Sequence, residues 1–570
     1  MAFLYPRDIY KQLEFEKILQ DLKGRCSGTP AKAYVDELPV YEDAIIIRRK
    51  LEEITCFQDI LQDTHHIHVG AYQDLSESLE MLEITDSVLE IEPLLELRNQ
   101  LEMVSSWFDF FTKEKRIRWK PLYSVLTQTE PLPKVRKHFN RIFDEEGEIK
   151  STASDQLAKI RKDIQSKSSA LDKAFNRALI SYKNQGYLTD NFESYRNGRR
   201  VLAVFSEHKR KIKGIIHDES STGKTVFMQP EETLALDSEL FELQNEERRE
   251  IRKILKSLCQ DLHQNLPVIH SSIQVIIEID LIQAKSMQAI ALGVRTMPKC
   301  TAEAAFEWHR AFHPLLLLKH QKDRDVVIPF NLTLNHEHRI LIISGPNAGG
   351  KSITLKAVGL LCLMHQAALL TPVDDHSTMG IFQQILTDIG DQQSIEQDLS
   401  TYTSHLHNMK VFTERSDAKT LFLIDEFGSG TEPTIGAAIA ESILFRLHHL
   451  KARGVVTTHY GNLKIVASKT KGMQNAAMAF DKEALQPTFQ LHVGAPGSSF
   501  AFEMAHRSGL HEKIVQRARQ KMGKREGRLD YLLTNLQKEK NDLEKKLSEI
   551  QNQKENLDKL VRNYERMSLE

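Results

Sequence analysis

The run Gly345-Pro346-Asn347-Ala348-Gly349-Gly350-Lys351-Ser352 fits G-x-x-x-x-G-K-S, and its residue types suit one task. Residues poor in side chain let backbone N–H groups curl round a phosphate, Lys351 reaches the terminal phosphates, and the Ser352 hydroxyl ligates Mg²⁺. The β-branched run Ile340 to Ile343 precedes the loop and the helix-forming segment ITLKAVGLLCLMHQAALL follows it, which gives strand, phosphate loop and helix in order. A glycine-rich turn also meets this pattern by chance, so its companions decide. Thr420-Leu421-Phe422-Leu423-Ile424 runs into Asp425-Glu426, a buried strand ending in two carboxylates, as an ATPase needs at the carboxyl edge of a parallel sheet. Asp425 is expected to hold Mg²⁺ through water and Glu426 to polarise the attacking water. A third apolar run, Gly454 to Thr458, ends at His459, where an imidazole could sense a γ-phosphate. A lone histidine is more often structural, and it is the order of strand, loop, acidic pair and histidine that gives this one a role.

These residues must be held by a large chain. Its 570 residues predict several domains, and 41% apolar with 27% charged residues fit a helix-rich globular protein. Cys26, Cys56, Cys259, Cys300 and Cys362 include no C-x-x-C pair and are odd in number, so packing roles in a reducing cytoplasm are expected rather than disulfides or zinc. No apolar run approaches the roughly 18 residues that span a bilayer, and the first ten residues carry no leader pattern, so a cytoplasmic protein without membrane contact is expected. A formal net charge of -2 neither supports nor excludes nucleic acid, which leaves the question to local charge.

Along the chain, residues 1 to 125 read as helices (Leu13 to Leu19, Ala44 to Leu61, Leu75 to Phe111), and Arg141 to Ile149 as a small hairpin. Leu157, Ile160, Ile164, Leu171, Phe175 and Ala178 form one apolar seam on a long helix. Leu240, Leu243, Ile251, Ile254 and Leu258 form a matching seam on a second helix, from about Pro230 to Leu262. An antiparallel pair follows, with a strand-rich insert at its tip: Arg200 to Phe205, Ile212 to Ile216 and Thr225 to Met228, with turns at Asn197-Gly198 and Ser221-Thr222-Gly223. From Ser181 to Gln229 there are nine Lys/Arg against five Asp/Glu. An ordinary solvated β-surface has such a surplus too, but a basic tip on long levers suits a phosphate backbone, which asks for charge and reach without base reading. Phe312 to Leu316 and Val326 to Leu332 read as short strands, and so does Phe489 to Gly494. From Leu529 a heptad pattern runs to Tyr564, with Lys540 and Lys554 in its seam.

The loop GPNAGGKS, the segment Asp398-Leu399-Ser400-Thr401-Tyr402 and the run Asp425-Glu426-Phe427-Gly428-Ser429-Gly430-Thr431 together resemble the ATPase of the MutS family, a branch of the ABC-type ATPases. The opening Gln12 to Leu19, Gly198-Arg199-Arg200-Val201 and Gly214 to Thr225 are similar to the second bacterial MutS subfamily, which lacks the mismatch-reading domain. The resemblance implies a homodimer with two composite ATP sites, in which Ser400 reaches the γ-phosphate held by the other subunit. It implies a multidomain α and α/β fold: a helical core over 1–150, a lever helix over 151–181, a β-rich clamp over 182–229, returning lever and core helices over 230–300, an ABC-type P-loop ATPase domain over 301–525 and a coiled-coil helix over 526–570. The mismatch wedge of other members is Phe-x-Glu in a preceding domain; Phe143-Asp144-Glu145 has the letters in the wrong place. A Smr nuclease domain usually follows the coiled coil, and none is expected within this chain, nor nuclease activity from it.

The expected function is therefore a Mg²⁺-dependent ATPase with ATP as cofactor, clamping branched or distorted DNA in repair or recombination control. Gly345 to Ser352 would bind phosphates, Ser352 and Asp425 the metal, and Glu426 the water. Ser400 and His459 would read the γ-phosphate, and Gln392 or Gln393 would contact Mg²⁺ or water. Arg199, Arg200, Lys209, Arg210, Lys211, Lys213 and Lys224 would meet nucleic acid. The subfamily's ribosome-splitting members give an alternative partner, the ribosome and its rRNA. A cohesin-like structural ATPase needs levers far longer than about 50 Å.

Overall fold

The computed structural model describes residues 2–63, 67–320, 326–346, 349–390, 401–481, 486–497, 505, 509–521 and 546. They form two compact units, one of Met1–Gly70, Arg116–Ser124 and Ile277–Glu570, the other of Ala71–Lys115 and Val125–Ile276.

The first unit is built on a seven-stranded sheet in the order Phe3–Tyr5, Gln384–Asp388, Thr420–Ile424, Arg453–Thr457, His338–Ser344, Gly472–Asp481, Gln486–Val493. Neighbours are parallel except the last pair. Thr420–Ile424 and Arg453–Thr457 are buried at every position, as parallel strands covered on both faces must be. Ile340, Phe422, Val456, Phe412, Leu444 and Leu463 pack in the core on one side of the sheet. Register sets the functional geometry: Ile343 lies opposite Thr457 and Val456 opposite Ile424. The phosphate loop, the acidic pair and His459 therefore leave three adjacent strands at one carboxyl edge. Phe3–Tyr5 closes the far edge, parallel to residues 384–386.

A second sheet, in the order Lys299–Cys300, Thr378–Met379, Phe306–Ala311, Phe330–Leu334, belongs to this unit. Phe312 to Leu316 is not a strand as expected: the strand ends at Ala311, and Pro314 opens a helix to Lys319 because its fixed φ suits a first helical turn and its missing N–H would break a ladder. The helix Leu266–Ala291 is long and apolar enough, by length and composition alone, to cross a membrane, contrary to the expectation that no segment comes close. It is nonetheless a core helix in its second half. Asp280 accepts from the N–H groups of Ser27 and Gly28, Ser286 donates to Ile54 and Gln288 to Ile18, contacts that a lipid-facing helix has no means of making.

In the second unit the expected helix from Leu75 to Phe111 is two, Ser76–Glu83 and Ile91–Phe110. Asp86 between them has φ +66°, which no helix continues through. Pro133–Ile142 is helical and only Phe143 and Ile149 bridge after it, so the hairpin is a single turn. Two long helices, Asp155–Asn184 and Glu231–Gln264, pack against each other. Ser154 caps the first through the N–H of Leu157 at 3.0 Å, and Arg161 bridges to Glu247 at 2.7 Å. Their 30 and 34 residues give lengths of about 45 and 51 Å. At the tip sits a four-stranded antiparallel sheet in the order Leu188–Arg196, Arg199–Phe205, Thr225–Pro230, Gly214–Glu219. Its core is Phe175, Leu188, Leu202, Val204, Ile212, Val226 and Met228. The heptad segment lies outside the described residues, position 546 excepted.

Candidate nucleotide site

Gly350, at φ +91°, is the N-cap of the helix Lys351–Gln366; a Cβ there would be strained and would stand 3.3 Å from the Phe489 ring. The first N–H groups of that helix have no partner within it, so its positive end is a seat for anionic oxygen. Lys351 is 4% exposed; its Nζ donates to the Gly345 carbonyl at 2.8 Å and lies 3.2 Å from His459 Nε2. Burial brings the ammonium down to about 8, against the opposing pull of Glu426 and Asp425.

The acidic pair is held by one hydroxyl that no motif marks. Thr457 Oγ1 donates to Asp425 Oδ1 and accepts from the Glu426 N–H at 2.8 Å, while the Thr457 carbonyl accepts from Phe427 at 2.9 Å. Glu426 itself has φ +46°. A non-glycine residue in that region costs about 1–3 kcal/mol and persists only where its surroundings enforce it, as they do here. The turn beyond is fixed by Tyr460, whose hydroxyl donates to the Gly428 carbonyl at 3.1 Å. Burial first, then Lys351 and Lys464, brings His459 down to about 4, so its ring is neutral near pH 7. Ser352, the second residue of the loop helix, and Asp425 offer hard oxygen donors of the kind Mg²⁺ takes alongside phosphate and water.

Beside Gly350 opens a pocket of about 320 Å³ lined by His313, Leu316, Val327, Phe330, Ile353, Met478 and Phe489 among others. It is largely apolar with an aromatic wall, as a planar base requires. Burial brings His313 down to about 4, and its Nδ1 is buried without a hydrogen-bond partner among the described residues. His313 and Phe489 are distant in sequence from the loop and carry no motif, so only folding shows them.

Lys351, Asp425, Glu426 and His459 are thus brought together. Asn347, Ala348, Gln392, Gln393 and Ser400 lie outside the described residues.

In the second unit the seven basic tip residues divide. Arg199 is 3.1 Å from Asp237, and Arg200 bridges Glu193 at 2.6 Å and Asp172 at 3.3 Å while lying over the Phe175 ring. Lys209 is 3.5 Å from Glu219 and Lys211 lies over the Tyr187 ring. Arg210, Lys213 and Lys224 have no ion pair among the described residues. About half of these cations therefore hold the tip together.

The MutS domain V family model matches residues 341–526, the stretch that carries the loop, the acidic pair and His459. Endonuclease MutS2 of Clostridium perfringens (strain SM101 / Type A) is 36% identical over 530 residues, 93% of this chain and 66% of that protein. The protein of the same name from Clostridium beijerinckii is 36% identical over 526 residues, 92% of this chain and 66% of that protein. That from Clostridium acetobutylicum is 34% identical over 528 residues, again 92% and 66%. The chain spans 66% of the length of these curated relatives. A motif set at one sheet edge and likeness over nine-tenths of the sequence lead to one conclusion: this chain belongs to the MutS family.

Proposed function

We propose that the protein is a homodimeric, Mg²⁺-dependent ATPase that grips branched or distorted DNA through the basic tip and opens or closes that grip with ATP. The observation that carries the reading is the Thr457 hydroxyl shared between Asp425 and the Glu426 backbone, on a strand adjacent to the one leading to Lys351. In this reading the base lies against Phe489 and His313, and the N-terminus of Lys351–Gln366 with Lys351 draws in the phosphates. Mg²⁺, held by Ser352 and Asp425, offsets charge on the phosphate oxygens when bound. Glu426 orients the attacking water and takes its proton, and neutral His459 donates one hydrogen bond to the γ-phosphate. Ser400 completes the site of the other subunit.

The tip supplies affinity without base reading, through Arg210, Lys213 and Lys224. Repair or recombination control, known for the family, is the context that fits a distorted DNA substrate.

Glu426→Gln tests the chemistry: steady-state hydrolysis should fall by about 10²-fold or more with ATP binding retained. Unchanged turnover would refute the mechanism. A four-way DNA junction and ribosomes offered at matched salt test the partner, and preference for ribosomes would replace DNA with rRNA.

A further inference from the structure

In the unit that carries the basic tip, the helix Pro133–Ile142 holds four cations, Lys134, Arg136, Lys137 and Arg141, and no acid. One side anchors it: Val135, Phe139 and Ile142 are buried and pack in the core with Leu157 and Leu258. His138 Nδ1 fixes its flank, 2.6 Å from Asp261 Oδ2 on the long helix Glu231–Gln264. The four cations are exposed on the other side, and none of their side chains has an ion pair or hydrogen bond among the described residues. Lys134, Lys137 and Arg141 are spaced by three and four, so they form one stripe. Lys150 Nζ, donating to the Asn140 carbonyl at 2.8 Å, adds a further cation near its end.

Two features separate this face from an ordinary solvated one. Solvated faces keep both signs within reach of each other, as on the long helices, where Arg161 meets Glu247 at 2.7 Å. Here Glu145, Glu146 and Glu148 come only on the turn after the helix, and none pairs with its cations. With no acid in the first turn, moreover, Lys134, Arg136 and Lys137 crowd the end that unpaired backbone N–H groups already make positive. Such a crowd repels itself, and an anion from outside the chain relieves it. At the tip, by contrast, Arg199 and Arg200 already have acids of their own.

We infer that this face is a second nucleic-acid contact, separate from the tip, and that it takes the phosphate backbone of duplex DNA. From Lys134 to Arg141 the stripe is about 10 Å long, the axial span of about three phosphates of one strand. A helix docked along its side on the core holds these cations at the backbone, where charge is met and sequence goes unread. The choice of DNA as the occupant rests on the proposed function.

The test measures salt-dependent binding of the full chain to duplexes of two unrelated sequences. A triple variant, Lys134→Gln with Lys137→Gln and Arg141→Gln, should lower the salt slope by about 2 to 3 and weaken binding about tenfold or more at about 0.1 M salt. The loss should be equal for both sequences, with the thermal unfolding midpoint unchanged. Lys134→Arg with Lys137→Arg and Arg141→Lys keeps the charge and should keep the affinity. An unchanged slope in the Gln variant, or a loss confined to one sequence, overturns the inference. If the Gln variant alters the mass in light scattering or the binding of ribosomes while duplex binding holds, the face belongs to protein or rRNA, and DNA is refuted as its occupant. If the parent chain binds neither duplex nor four-way junction at low salt, the proposed function itself fails. If the parent binds and Arg210→Ala lowers the slope while the Gln variant does not, that function stands and this contact alone is refuted.

Discussion

Lys351 Nζ lies 3.2 Å from His459 Nε2 while donating to the Gly345 carbonyl, so the two groups expected to meet the terminal phosphate already touch each other across adjacent strands. With His459 brought down to about 4, the pair is an ammonium beside a neutral imidazole, and the positive charge sits on Lys351 alone.

A bound phosphate favours the charged ammonium, so it raises Lys351 above its value of about 8. Between that value and the higher bound one, ATP binding takes up a proton. The dissociation constant should be flat below pH 8 and weaken by up to about tenfold per pH unit above it. Calorimetry at pH 9 in two buffers of different ionisation enthalpy reads the proton directly, and no uptake would show that Lys351 is not the group titrating.

Thr457→Val keeps the strand's shape and removes the one hydroxyl that orders Asp425 and Glu426. Leaving the Glu426 N–H without its acceptor should cost about 1–3 kcal/mol, and kcat should drop about tenfold or more, whereas Thr457→Ser keeps both. Thermal unfolding and steady-state hydrolysis of the two variants check the pair of effects.

His365 lies wholly buried in the loop helix with both ring nitrogens unpartnered among the described residues, and burial brings it down to about 4. Its folded value is below the ordinary value of about 6.5, so the unfolded chain binds the extra proton between those limits. Its share of stability is present above pH 6.5 and falls away as pH drops toward 4. His365→Leu should raise stability by about 1–3 kcal/mol and flatten that acid slope, visible in urea midpoints at pH 5 and 7.

At the tip, the ion-paired arginines and the unpaired cations should separate by experiment. Arg210→Ala, Lys213→Ala and Lys224→Ala should each weaken nucleic-acid binding and reduce the salt slope by about 0.9 for every phosphate that is no longer neutralised. Arg200→Ala breaks the bridges to Glu193 and Asp172 and uncovers Phe175, so it should lower the tip's stability more than the salt slope. Salt titrations beside hydrogen exchange of residues 188–205 distinguish the two classes.

The features legible in the chain alone are local ones. The loop from Gly345 to Ser352, the carboxylates after Ile424 and the histidine after Thr458 are contiguous signals, because phosphate cradling and strand ends are written in backbone conformation and apolar run length. The seams of Asp155–Asn184 and Glu231–Gln264 and the turn at Asn197-Gly198 are readable for the same reason. Whatever depends on a distant partner waits for the folded molecule. Three residues, Phe3–Tyr5, are too few to show a period, and their place at the sheet edge comes from pairing with residues 384–386. Thr457, His313 and Phe489 gain a role from register and packing, and Arg199 and Arg200 take theirs from acids that sequence spacing does not bring near. A charge or a hydroxyl has no fixed use until the fold supplies its neighbour, whereas a helix seam or a phosphate loop carries its geometry within its own residues.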